Sequence, residues 1–157
     1  MKYVCGVDPG LSGCVCLYNP DDVIFYDMPT LEIIRHGKNK RQLDLYALAK
    51  FIDLHAVDIE KAYIEKPGAM PGQGSSSMFA FGFNCGAVQM VIASAFIPMD
   101  LIPPATWKKA MGLSSSKDAS RLKASQMFPR WSEHWLRKKD EGRCEALLTA
   151  AYGLGLR

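Results

Sequence analysis

Asp8, Glu65 and the trio Asp140, Glu141 and Glu145 lie far apart in the chain, yet each falls where a buried segment stops or a helix starts. Asp8 breaks the apolar run Tyr3-Val4-Cys5-Gly6-Val7, and Glu65 ends Ala62-Tyr63-Ile64. Glu145 stands before Ala146-Leu147-Leu148, in an apolar helix where an acid needs a reason. Carboxylates about 4 Å apart repel by roughly 4 kcal/mol per pair at an effective dielectric of about 20, so a cluster of them takes up protons or a divalent cation. With no C-x-x-C pair and no His at metal spacing, hard oxygen ligands select Mg²⁺ or Mn²⁺ over zinc. Two such ions roughly 3.5–4 Å apart can flank the attacking water and the leaving 3′ oxygen of a phosphodiester. That chemistry is metal-assisted hydrolysis of nucleic acid. Each acid also has a plainer use: Asp8 before Pro9-Gly10 suits a turn, Glu65 can pair with Lys66, and Asp140 or Glu141 favours a helix N-terminus. Glu141 and Glu145 share a helix face at i and i+4, whereas Asp140 must reach a site from before the first turn.

The elements that must bring these acids together follow from pattern. Tyr3–Val7, Cys14–Tyr18 and Val23–Tyr26 read as three antiparallel strands separated by Asp8-Pro9-Gly10 and Asn19-Pro20-Asp21-Asp22 turns. Leu43, Leu45, Leu48, Phe51, Ile52 and Leu54 recur at helical spacing after a polar, basic stretch at 35–41 that the pattern assigns to no element. Ala62–Ile64 reads as a buried strand, and Lys66–Ser77, rich in Gly, Pro and Ser, as a long loop. An apolar helix is expected from about Met78 to Ala95, a strand at Pro98–Ile102, and a brief helix from Pro104 that Gly112 ends. Ser115 and Asp118 suit a capping box for a helix to Phe128, and a last helix spans Glu141–Tyr152. The order predicts an α/β fold, a mixed sheet with helices on its faces, and strand ends at Asp8 and Glu65 where clefts form.

The whole chain, 157 residues, suits one domain spanning 1–157. Its hydrophobic share of 48% and charged share of 22% are those of a globular protein and exclude a disordered one. Gly, Pro or a charge interrupts the apolar stretches, so no transmembrane helix is expected, and no secretory signal opens the chain. The compartment these imply is cytoplasmic. The odd set Cys5, Cys14, Cys16, Cys85 and Cys144 reads as small buried hydrophobes. A net charge of +3 names no polyanion, but its distribution is informative. Lys2 stands alone against Asp8, Asp21, Asp22, Asp27 and Glu32 before Arg35, Lys38, Lys40 and Arg41 arrive in quick succession, and a second basic group runs from Trp107 to Lys123. Such clusters suit phosphate contacts or a solvated face.

Val4-Cys5-Gly6-Val7-Asp8-Pro9-Gly10, Tyr63-Ile64-Glu65-Lys66-Pro67, and Lys138-Lys139-Asp140-Glu141-Gly142-Arg143-Cys144-Glu145-Ala146-Leu147-Leu148 together resemble the RuvC family of Holliday junction resolvases, in its phage and bacterial branch. Met78-Phe79-Ala80-Phe81-Gly82 and Thr106-Trp107-Lys108-Lys109-Ala110-Met111-Gly112-Leu113 extend the resemblance over nearly the whole chain. It implies an RNase H-like mixed five-stranded sheet flanked by helices. It also implies a homodimer in a bacterial or phage-infected cell, and a Mg²⁺- or Mn²⁺-dependent, structure-selective endonuclease that resolves four-way DNA junctions by paired nicks. By motif, Asp8, Glu65 and Glu145 match three of the family's four metal-binding acids. Where the best-known members place the third acid this chain has Gly142, and the aspartate-x-Gly-Arg-x-Glu pattern points to Asp140 over Glu141. A nuclease that reads branched shape needs cations along its cleft, and Lys66, Lys108, Lys109, Lys117, Arg121, Lys139 and Arg143 are the expected DNA contacts. Met70 or Phe79 could stack on an unpaired base, although Phe79 and Phe83 also suit a core or dimer interface. His36, His55 and His134 read as solvated, and Trp107, Trp131 and Trp135 as anchors of the helical layer. The alternatives are a flap or fork endonuclease, an ATP-binding protein of the actin-like type, for which the chain is short, and a non-catalytic junction binder.

Overall fold

A computed structural model describes residues 2–35, 37–66, 68, 72, 74–114, 116 and 118–156. Strands β1 (Tyr3–Asp8), β2 (Cys14–Tyr18) and β3 (Val23–Asp27) form an antiparallel meander, joined by tight turns that the local residues dictate. Gly13 N–H donates to the Gly10 carbonyl at 2.9 Å, and the Asn19 side chain accepts from the amides of Asp21 and Asp22, each at 2.9 Å, which is the Asx turn that Asn before Pro favours. β4 (Thr30–Arg35) and β5 (Lys38–Leu43) then pair only with each other, as a separate two-stranded ribbon. α1 (Leu45–His55) starts at Asp44, whose carboxylate accepts from the Ala47 amide at 3.0 Å. β6 (Ile59–Glu65), α2 (Ser75–Ser94) and β7 (Met99–Ile102) follow, then α3 (Pro104–Ala110), α4 (Ala119–Met127) and α5 (Glu141–Gly153). The five-stranded sheet has the order β3-β2-β1-β6-β7, with β6 parallel to both β1 and β7.

Alternation along the central strands splits the core in two. Val4, Cys14 and Cys16 face Trp107, Leu147 and Leu148 under α3 and α5, while Cys5, Val7, Val15 and Leu17 face Leu48, Ile52, Val88 and Ile92 of α1 and α2. Leu147 and Leu148 are fully buried, each stabilising the fold by about 1.5–3 kcal/mol. All five cysteines are buried and unpaired, as expected of small hydrophobes. Strands β1, β2, β3, β6 and β7 and the five helices lie close to where pattern placed them.

The ribbon is a departure. Ile33-Ile34 breaks alternation and the residues of β5 before Leu43 are all exposed, so neither strand carries the half-buried pattern that marks a strand in sequence. The expected capping box also departs: Ser115 lies outside the described residues, and Asp118 makes no side-chain cap on α4. α2, with Gly82 and Gly86 inside it, is long and apolar enough to cross a membrane by length and composition alone. Its inner side, at Asn84, Cys85, Val88 and Ile92, is buried, and Val88 and Ile92 belong to the core, as in a helix covering a sheet.

Candidate active site

β1 and β6 are parallel neighbours, so both open at the same edge of the sheet, and the pair Val7–Ile64 leaves Asp8 and Glu65 at the next step. By alternation Asp8 shares a face with Val4 and Gly6, and Glu65 with Tyr63. α5 covers that face at backbone distance. A Cβ on Gly6 would stand 2.0 Å from the Ala146 carbonyl, and one on Gly142 would stand 2.6 Å from the Ser12 carbonyl. The close approach carries Glu141 and Glu145 over the sheet edge. Asp8, Ser12, Lys138, Lys139, Glu141 and Glu145 line an open cleft of about 260 Å³ there. A larger cavity of about 520 Å³, beside Tyr63, Asp100 and Tyr152, lies away from the acids. Asp100, the carboxylate lining it among the described residues, is bound to Lys61 at 2.8 Å, so chemistry belongs to the smaller cleft.

Burial pushes the Asp8 carboxyl up to about 6, against the Gly10 amide that donates to it at 3.1 Å, and the charges of Glu145 and Glu141 push the same way as burial. Burial and the nearby Glu145 raise Glu65 to about 7, while Trp107 Nε1, donating to Oε2 at 2.9 Å, pulls it down. Burial and Glu145 raise Glu141 as well. Lys108 Nζ stands 2.7 Å from Glu145 Oε1. Burial opposes its charge, but the bond to Glu145 and the charges of Glu65 and Asp8 hold its pKa above the ordinary lysine value. Ser120 Oγ donates to the same Glu145 oxygen at 3.0 Å.

Four carboxylates thus share one electrostatic neighbourhood, with a lysine ammonium as its cation. Among the described residues, no three His, Cys, Asp or Glu side chains stand close enough together to hold one metal ion in this arrangement. The donors nonetheless suit Mg²⁺ or Mn²⁺: they are hard oxygens, and burial first, then the neighbouring carboxylates, disfavour the bare negative charge at Asp8, Glu65 and Glu141. Lys108 compensates in part, its ammonium occupying the Glu145 oxygen that would otherwise be offered to an ion.

Asp140, the expected third acid, is not brought to this cleft. It ends a 3₁₀ turn, Lys138–Asp140, that folds its side chain back on Arg137. The Arg137 guanidinium donates to both Asp140 oxygens at 2.9 Å, and the Arg137 amide adds a bond at 3.2 Å. Those bonds hold the buried Asp140 carboxyl below the usual range. Glu141, one residue on, has the helical register with Glu145 and lines the cleft. The contact of Gly142 with Ser12 explains why position 142 has no room for an acid.

The expected DNA contacts divide as well. Lys139 is exposed in the cleft beside Lys138, and Lys66 and Lys109 are exposed. Arg143 is instead a strut: its fork grips Asp27 at 2.7 and 2.6 Å, and its third nitrogen donates to the His134 carbonyl at 3.0 Å. Arg121 is likewise engaged, with Asp118 and with the Leu136 carbonyl at 3.1 Å. Lys117, Met70 and His36 lie outside the described residues. Phe79 and Phe83 are exposed, which excludes a core role. His55 and His134 are half-buried against Phe51 and Phe25 instead of solvated. Sequence reading did not link the Trp107 indole to Glu65 or Ser120 to Glu145, since nothing local pairs residues so far apart in the chain.

A sheet of this order, with acids at the ends of adjacent parallel strands and a helix laid across them, is an RNase H-like fold of the RuvC type. Thermus thermophilus RuvC in complex with a Holliday junction substrate matches it over 99% of this chain and 96% of that one, with a TM-score of 0.58 and 17% identity. A second Thermus thermophilus RuvC structure covers 98% and 97%, with a TM-score of 0.57 and 15% identity. In sequence, 95 residues are 32% identical to the chloroplastic Holliday junction resolvase MOC1 of Chlamydomonas reinhardtii. That match takes in 59% of this chain and spans only 11% of that relative's length. No protein-family profile matches the chain.

Proposed function

We propose that this chain is a Mg²⁺- or Mn²⁺-dependent DNA endonuclease that nicks four-way junctions. The observation that carries the reading is the gathering of Asp8, Glu65, Glu141 and Glu145 around one lysine at the edge of a RuvC-type sheet. These four would hold the ions, with Glu141 in the place that sequence pattern gave to Asp140. Divalent ions bound there supply Lewis acidity for in-line attack of water on a phosphodiester. The Trp107 indole fixes the Glu65 carboxylate, and Ser120 orients Glu145. Lys108, beside Glu145 at the acids, would offset the negative charge of a bound phosphate, and Lys138 and Lys139 would steer the strand into the cleft. The match to a junction resolvase and the RuvC fold support junctions as substrate, in a DNA-containing compartment such as the cytoplasm of a bacterial or phage-infected cell.

A homodimer suits this reading, because two sites related by a two-fold axis meet two strands. Its interface would be the outer side of α2, where Phe79, Phe83 and Met90 are exposed at helical spacing with Gly82 and Gly86 between them. A non-catalytic junction binder is the second reading, favoured by the 2.7 Å contact that already gives Glu145 a cationic partner.

Labelled four-way and flap DNA, incubated with Mg²⁺ or with EDTA, separates these readings. Junction cleavage is expected only with Mg²⁺, and Asp8→Asn and Glu141→Gln should each lower it by about 10² or more. Asp140→Asn should keep the cleavage chemistry and lower the melting temperature instead, as the Arg137 guanidinium and amide lose their charged acceptor. Binding without cleavage by the parent would establish the second reading, and a larger loss at Asp140 than at Glu141 would reverse the assignment of the third acid.

A further inference from the structure

We infer that the β4–β5 ribbon is a second DNA-binding element, which grips the backbone of a duplex arm beside the cleft through Arg35, Lys38 and Lys40. The inference rests on the nuclease reading for its substrate but uses none of the cleft's acids. In the ribbon's register Arg35 faces Lys38 and Ile33 faces Lys40, while Glu32 faces Arg41 one step along. Residues directly opposed across an antiparallel pair share a face. Arg35, Lys38 and Lys40 therefore lie together on one face, and the ribbon's lone acid, Glu32, lies on the other. All three cations are exposed, and among the described residues none has an acidic partner within 4 Å. Three like charges held together with no counter-charge raise the free energy of the isolated protein, and a polyanion relieves it.

The ribbon is also fixed in place relative to the site. At its base Leu43 is buried, and the Asp44 amide donates to the Pro29 carbonyl at 2.9 Å. The Met28 amide donates to the Gly13 carbonyl at 2.9 Å, and Arg41 Nη2 donates to Ser12 Oγ at 2.9 Å. Ser12 and Gly13 belong to the loop that lines the acid cleft. A strand seated in the cleft therefore continues past a cationic ribbon anchored at its base beside the acids. Two features select duplex backbone as the occupant. A two-stranded ribbon has the dimensions of a DNA groove. Neither strand carries a Phe, Tyr or Trp on which an unpaired base could stack.

The test compares K38A/K40A with K2A/K50A, which removes the same charge from exposed lysines elsewhere, Lys2 preceding β1 at the end opposite Asp8. Binding of a four-way junction is measured in EDTA over a range of salt, with melting curves confirming that both variants fold. K38A/K40A should weaken binding between about tenfold and a hundredfold at 0.1 M salt and lower the log–log salt slope by about 2, whereas K2A/K50A stays close to the parent and K38R/K40R restores binding. Equal affinity and slope for K38A/K40A and the parent overturns the ribbon's role, even if the parent cleaves junctions in Mg²⁺. A parent that binds junctions but cleaves none, with K38A/K40A still weakened, leaves the ribbon in place and removes the nuclease.

Discussion

The two faces of the central sheet are covered by helices in opposite ways. On one, α5 lies at backbone distance, admitted by Gly6 and Gly142, and residues 146 to 151 are entirely buried. On the other, α2 touches the core along one narrow side and turns Phe79, Phe83 and Met90 to solvent. Backbone-to-backbone contact leaves no side chain to relax, so the first face sets where carboxylates point. The second face leaves exposed apolar area along the outer side of α2. Tight backbone packing and exposed apolar surface thus lie on opposite sides of one sheet.

The sharpest way to break that contrast is Gly6→Val. Its side chain would occupy the space of the Ala146 carbonyl and the Ala150 backbone, so α5 must lift or the strand must bend. The expected loss is about 3 kcal/mol or more, read by denaturant unfolding, with cleavage lost as Glu141 and Glu145 leave Asp8. A variant with parental stability would show that α5 is not seated as described.

The acids themselves provide the next effect. A carboxyl whose pKa is higher in the folded than in the unfolded chain makes the folded state bind protons more tightly. Its contribution is therefore present below the unfolded value and is lost as pH rises through the folded one. With Asp8 at about 6 and Glu65 at about 7, metal-free protein should lose stability as pH rises from about 4 to about 7. The amount from Glu65 alone is on the order of 3 kcal/mol, at about 1.4 kcal/mol per pH unit. Melting curves in EDTA should show the fall, Glu65→Gln should flatten it, and Mg²⁺ should stabilise the parent more at pH 8 than at pH 5. A flat profile for the parent would mean that Asp8 and Glu65 are not held in a buried, crowded cluster as described.

On the α2 face the expected change in stability is smallest. Phe83→Glu alters an exposed position, so unfolding should shift by no more than about 0.5 kcal/mol, while light scattering should report a monomer for the variant and, on the proposed interface, a dimer for the parent. A parent that is monomeric at the same concentration removes α2 as the interface.

Much of this arrangement can be read in the chain itself. Apolar runs ended by Asp8 and Glu65, the Asx turn at Asn19, the proline that opens α3 and the apolar stretch of α5 are local signals, because strand, turn and helix preferences act over a few residues. They determined five strands, the helices and three of the acids that meet. The β4–β5 ribbon escaped that reading because its strands bury almost nothing, so no apolar period marks them, and its charge pattern was visible without its shape. The choice between Asp140 and Glu141 turns on how a single 3₁₀ turn aims two adjacent side chains, and the roles of Arg143 and Trp107 depend on Asp27 and Glu65, remote partners met only after the sheet closes. Sequence alone determined which residue types and elements were available. Tertiary structure decided which acids face one another and which of the described cations are left exposed without an acidic partner, since both depend on distances between segments that no local preference encodes.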